Sequence, residues 1–172
     1  NYQYIGDAYK NLSYDPTNEY SVPYMWGTIG ILYDGFEITE PVTSWDILWD
    51  SKYKDEVYMF NSIRDAMAIG LLKEGYSINS TNPTEINSAR DALIKQRDLT
   101  NPVYVVDEAK DNMIAGEKLI STVWSGDAIY AMSGNPDLKY VIPKEGSNKW
   151  VDALCIPAGA KNKEAAEKYL PV

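Results

Sequence analysis

The sequence predicts an α/β domain with a mostly parallel sheet flanked by helices. Three observations carry this. Short apolar, β-branched runs alternate with stretches of helical periodicity, the order that builds strand–helix–strand units. Turn and breaker residues separate them at short intervals. No internal repeat or low-complexity tract competes with a single packed core across the 172 residues.

Residues 1–18 read as a short helix and a turn broken at Asp15-Pro16. Glu19 to Trp26 reads as extended and Thr28 to Tyr33 as a strand, with Gly27 and Gly30 allowing bends. Asp34-Gly35 is a turn signal. Thr43-Ser44 precedes Trp45 to Trp49, a short capped helix. Val57 to Phe60 is a brief apolar strand. Ile63 to Glu74 is a helix with Ile63, Met67, Gly70 and Leu71 on one face and Gly75 at its stop. Pro83 opens a second helix with Ile86, Ala89 and Leu93 on its buried stripe. Strands follow at Val103 to Val106, Leu119 to Trp124, Leu138 to Ile142 and Trp150 to Ile156. Helices fill Asp107 to Ala115, Asp127 to Ser133 and Lys163 to Leu170.

Composition excludes several chemistries. The chain has no histidine, which removes the commonest general base, the usual zinc sites and Ser-His-Asp catalysis. Its one cysteine, Cys155, lies in an apolar run and reads as a small buried hydrophobe; one cysteine forms no intrachain disulfide. No metal or cofactor site is expected. Net charge is −9 with no basic stripe, so nucleic acid is not an expected partner. No apolar run is long enough to span a bilayer, and no signal peptide opens the chain. Both ends read as interior to a longer protein. Aromatics are weighted to 14 Tyr and 5 Trp against 2 Phe, and the flat apolar faces and polar tips of Tyr and Trp suit a binding cleft.

Ligands of open α/β sheets bind beyond the carboxyl ends of the strands. Those ends carry the same residue types repeatedly: Ser62 and Asp65 after Phe60, Asp107 after Val106, Trp124 and Asp127, then Trp150 and Asp152. A carboxylate gives a charge-assisted hydrogen bond to an ammonium, and an indole face attracts the cation and covers a methylene chain. Linear polyamines have this chemistry. The same carboxylates have structural readings as caps and first-turn residues. Asp152 beside the apolar Ala153 to Ile156 needs a partner if buried.

At these residues the chain resembles the spermidine/putrescine-binding proteins of ABC transporters. The matching stretches are Val22 to Gly27, Thr43 to Trp49, Lys73 to Ser77, Trp124 to Asp127, Ile142 to Gly146, Trp150 to Asp152 and Ile156 to Ala165. The resemblance implies one lobe of a two-lobe periplasmic-binding-protein-like fold. It divides the chain into a first-lobe stub and hinge strand over 1–27, a second lobe over 28–150, and a second hinge strand and returning helix over 151–172. It implies that Trp124, Trp150 and Asp152 contact a polyamine, with Asp65 one methylene shorter than the Glu usual at its place. Ser62 stands where some members carry a second acid, and Asp127 matches the putrescine-preferring members. The implied partners are the polyamine and the membrane permease, outside the cytoplasmic membrane, with a monomer expected and no catalysis. A sugar-binding relative or a two-carboxylate glycosidase are the alternatives; an anion binder conflicts with Asp127 and Asp152.

Overall fold

The structure, a computed structural model, describes residues 2–169. The chain divides into two compact units. The larger comprises Thr28–Lys149; the smaller comprises Asn1–Gly27 and Trp150–Val172.

The larger unit is a sheet with helices on both faces. Strands β1 (Val22–Asp34), β2 (Val57–Phe60), β3 (Val103–Val105), β4 (Ile120–Trp124) and β5 (Leu138–Val141) lie in the order β3-β2-β4-β1-β5. β2 runs parallel to both β3 and β4. β1 runs antiparallel to β4 and β5, so β2 to β5 point one way and β1 alone opposes them. The α/β fold with helices flanking a sheet is as the sequence predicts. The sheet is mixed because β1 is wedged between β4 and β5 against their direction.

The central strands are buried on both faces, so β2 reads as a continuous apolar run without alternation, while β4 buries Ser121 and Thr122 between its apolar ends. All four residues of β2 and the first four of β4 are buried. Neighbouring residues feed opposite cores. Ile29, Ile31, Val57, Met59 and Ile120 pack with Trp45, Leu48 and Ile69 on one face. Leu32, Tyr58 and Val123 pack with Ala109, Met113, Ala128 and Ala131 on the other. Each fully buried large side chain contributes roughly 1.5–3 kcal/mol of transfer free energy.

Helices α1 (Ile63–Lys73) and α2 (Pro83–Thr100) serve the first core; α3 (Glu108–Ile114) and α4 (Ser125–Gly134) serve the second. Their ends are chemically marked. Ser62 caps α1, and Asn82 caps α2 by accepting from the Thr84 N–H, with Pro83 in the first turn. Gly75 and Gly116 stop α1 and α3 at φ of 77° and 72°, a conformation that costs other residues more.

Several expectations are corrected. Residues 22–34 form one uninterrupted strand of 13 residues, not two segments bent at glycines. The apolar face of α1 is shifted: Ile63 is 87% exposed, and Asp65, Ala68, Ile69 and Leu71 are buried. Ile86 is exposed while Ala89 and Gln96 carry the inner side of α2. Trp45–Trp49 is the short helix the sequence predicts, of 3-10 form and capped by Ser44.

In the smaller unit, β6 (Lys149–Leu154) pairs with β1, and α5 spans Lys163–Tyr169. Leu170, expected at the end of that helix, lies outside the described residues. The N-terminal helix is replaced by two 3-10 turns, Tyr2–Tyr4 and Asp7–Tyr9. The Asp15 break is a folded loop: its carboxylate accepts from the N–H groups of Glu19, Tyr20 and Ser21 and from the Ser21 hydroxyl. Cys155 is exposed, not buried, because β6 ends at Leu154 and the chain leaves the sheet there.

Candidate functional site

The carboxyl ends of β2, β3 and β4 lie side by side on one edge of the larger unit. Parallel pairing aligns Tyr58 with both Val103 and Ser121, and Phe60 with Val105. The Asn61 N–H donates to the Val105 carbonyl at 2.8 Å, and the Phe60 N–H donates to the Thr122 hydroxyl at 3.0 Å. β2 therefore delivers the chain directly into α1, and β4 directly into α4, from neighbouring positions. This sheet edge carries Ser62, Asp65, Trp124 and Asp127. Trp150 and Asp152 lie on β6 in the smaller unit.

Ser62 is the N-cap of α1; its hydroxyl oxygen accepts from the Asp65 N–H at 3.5 Å. Asp65 is 8% exposed. Its carboxylate takes one hydrogen bond, from the Asn148 side-chain amide to Oδ1 at 3.5 Å, and no ion pair joins it among the described residues. A buried carboxylate with so little compensation has acceptor capacity to spare. The amphipathic pattern misplaced this face of α1, since a charge takes a position that apolar periodicity assigned to solvent.

Trp124 is half-buried at the end of β4, and its ring lies 4.9 Å from that of Phe60 at 37°. Phe60, 2% exposed, backs the Trp124 ring from the core, so Trp124 is the part of this pair that reaches the surface. Phe60 was legible only as the last residue of an apolar strand; its contact follows from the β2–β4 pairing. One residue on from Trp124, the Ser125 hydroxyl accepts from the Thr28 N–H of β1 at 3.3 Å, which ties the first turn of α4 to the sheet.

Asp127 sits in the first turn of α4, partly buried. Burial pushes its carboxyl above the usual range. Lys110 opposes that rise, and the negative charges of Asp107 and Asp111 add to it. An added cation near Asp127 would relieve both the burial and the repulsion.

In the smaller unit, Trp150 and Asp152 are two apart on β6 and so share one face of the strand. The indole of Trp150 packs on Gly27, and its N–H is buried with no hydrogen-bond partner among the described residues. Asp152 is exposed, as are Ala153 and Cys155. Burial therefore does not compel a partner for Asp152, because its apolar neighbours do not enclose it. Among the described residues no group of His, Cys, Asp and Glu side chains could hold a metal ion.

The sequence profile described as bacterial extracellular solute-binding protein matches residues 1–171. The chain is 37% identical over 172 residues to the spermidine/putrescine-binding periplasmic protein of Salmonella typhimurium, covering 99% of this chain and 49% of that protein. It is 37% identical over 161 residues to the protein of the same name from Escherichia coli, covering 93% of this chain and 46% of that one. It also superposes on a Streptococcus pneumoniae spermidine/putrescine ABC transporter substrate-binding protein, solved with calcium and HEPES. That similarity has a TM-score of 0.83 and 36% identity, covering 98% of this chain and 52% of the other. The chain spans about half the length of the curated relatives it matches.

Proposed function

The chain belongs to the bacterial extracellular solute-binding protein family, and from that premise we propose that it is part of the polyamine-capturing component of an ABC importer. The relatives named for spermidine and putrescine support the ligand class. One observation in this chain carries the reading furthest. Neighbouring parallel strands end in a buried, under-bonded carboxylate, Asp65, and in the Trp124–Asp127 pair, on a single sheet edge.

The chemistry fits a linear polycation. The Asp65 and Asp127 carboxylates accept from ammonium groups through charge-assisted hydrogen bonds. The Trp124 ring, backed from the core by Phe60, covers methylenes, and a cation over an indole face gains about 0.5–2 kcal/mol. In the same reading Trp150 and Asp152 contribute a second indole and a further carboxylate, and Ser62 lines the Asp65 end. Residues 28–150 then form the second lobe of a two-lobe protein, with 1–27 and 151–172 belonging to the first lobe and its connections. The protein works as a monomer outside the cytoplasmic membrane, closes on the polyamine and delivers it to the permease. Closure advances only as far as the ligand prefers the closed state. No catalysis is needed.

Titration calorimetry on the full-length protein tests this. Putrescine or spermidine should bind, and Asp152→Asn should weaken binding at least about tenfold, near 1.4 kcal/mol. Unchanged affinity removes Asp152 from the site. Thermal stabilisation by sugars and not by polyamines overturns the ligand class.

A further inference from the structure

Asp65 occupies the third position of α1, behind its cap Ser62. An acid there ordinarily turns back to the N–H of the cap residue and closes a reciprocal pair. Here the Ser62 hydroxyl accepts from the Asp65 N–H, but the carboxylate returns no bond; its one donor is the Asn148 amide at 3.5 Å. The acid is thus turned away from its own helix and toward the loop between β5 and β6.

That loop is itself held firmly. The Ile29 N–H donates to the Asn148 carbonyl at 3.3 Å and to the Ser147 hydroxyl at 3.1 Å, and that hydroxyl donates to the Ile29 carbonyl at 2.6 Å. One residue earlier, the Gly146 carbonyl accepts the Trp45 indole N–H at 3.0 Å. Glu145 accepts from the Ser44 hydroxyl at 2.5 Å and from the Trp45 N–H at 3.4 Å. Six hydrogen bonds to Ile29 of β1 and to the Trp45–Trp49 helix with its cap Ser44 leave the Asn148 amide little freedom except in its own side-chain torsions.

We propose that Asn148 is a positioning residue for ligand recognition: its amide occupies Oδ1 of Asp65 and holds the carboxylate so that Oδ2 accepts from one ammonium group. This rests on the reading that Asp65 meets a polyamine amine. Two physical consequences separate it from a merely structural role. The amide is neutral, so it orients the acid without cancelling its charge, as a Lys or Arg would. Its contribution to binding runs through Asp65 and disappears when that acid is gone.

A double-mutant cycle on the full-length protein tests the proposal, with putrescine affinity read by calorimetry. Asn148→Ala should lower affinity about fivefold, the scale of one modest hydrogen bond to a charged group. In an Asp65→Asn background the same change should have no further effect, so the two losses are strongly non-additive. Asn148→Ser repeats the cycle with a smaller perturbation if the alanine variant fails to fold. Wild-type affinity in Asn148→Ala or Asn148→Ser overturns the proposal, as do losses that add in full, because a loop-anchoring role acts equally in both backgrounds. Wild-type affinity in Asp65→Asn also overturns it, while leaving polyamine capture standing. A wild-type protein that takes up neither putrescine nor spermidine overturns both.

Discussion

A β-carbon at Gly27 would stand 2.4 Å from Cζ2 of the Trp150 indole, far inside van der Waals contact. The ring occupies the space that a side chain at position 27 would need. A glycine in a strand often marks such an approach rather than a bend. Gly30 repeats the relationship on the same strand, where a β-carbon would meet the Tyr140 ring at 2.4 Å.

Gly27→Ala should therefore displace the Trp150 indole. If that indole covers a polyamine, the full-length variant should lose roughly tenfold in affinity, near 1.4 kcal/mol. Tryptophan emission of the unliganded variant should shift as the ring moves. A shifted spectrum with unchanged affinity would take Trp150 out of the ligand's surroundings.

As a proposed ammonium acceptor, Asp127 should give polyamine binding a pH dependence of defined sign. Burial, with Asp107 and Asp111 nearby, raises its carboxyl above the ordinary value. The folded protein thus favours the protonated acid. That preference contributes stability fully at pH below the unfolded-state value and loses it as pH rises through the higher folded-state value. Cation binding needs the ionised form, so affinity should begin to fall, on acidification, at higher pH than an ordinary aspartate dictates. Asp127→Asn should flatten that portion of the affinity–pH curve, weaken binding at neutral pH, and leave the neutral-pH melting temperature equal or higher. Calorimetry across the acidic range, with parallel thermal unfolding, checks all three.

The 172-residue chain alone should bind spermidine at least about a hundredfold more weakly than the full-length protein, a difference near 2.8 kcal/mol. Its relatives are about twice as long, and a polycation enclosed on one side keeps much of its hydration. Calorimetry on both forms decides this. Nanomolar affinity for the short chain would mean that these residues complete the site unaided.

Thr122→Val should destabilise the larger unit by about 1–3 kcal/mol, because the buried Phe60 N–H loses its acceptor while the volume stays the same. Urea unfolding should show a lower midpoint at unchanged slope. Since the Phe60 ring packs at a tilt against that of Trp124, the variant should also alter the Trp124 environment.

The alternation of strands and helices was legible in part because β2 is buried on both faces, and a continuous apolar run identifies such a strand; β4 shares that burial but carries Ser121 and Thr122. β2 was located at Val57–Phe60, as its apolar run predicts. What local pattern could not supply was partner identity. Gly27 and Gly30 read as bends because nothing nearby in sequence announces the rings of Trp150 and Tyr140. The face of α1 was misread because Asp65, a charged residue, holds an inward position while Ile63 lies in solvent. The opposed direction of β1 was equally hidden, since its pairing with β4 and β5 is wholly long-range. The position of Asp65, Trp124 and Asp127 at one sheet edge was legible from their place after strands; that of Asn148 beside Asp65 was not, because their contact spans most of the larger unit.

The wedged position of β1 has a consequence for how the molecule is made. Thr28, on that strand, hydrogen-bonds to Ser125, 97 residues later in the chain. During synthesis the ribosome releases β1 long before β4 and β5 exist to flank it. The nascent strand must wait, with both hydrogen-bonding edges open, and closing so long a loop is slow. The centre of the sheet therefore orders late, only once β4 and β5 are both available to flank β1.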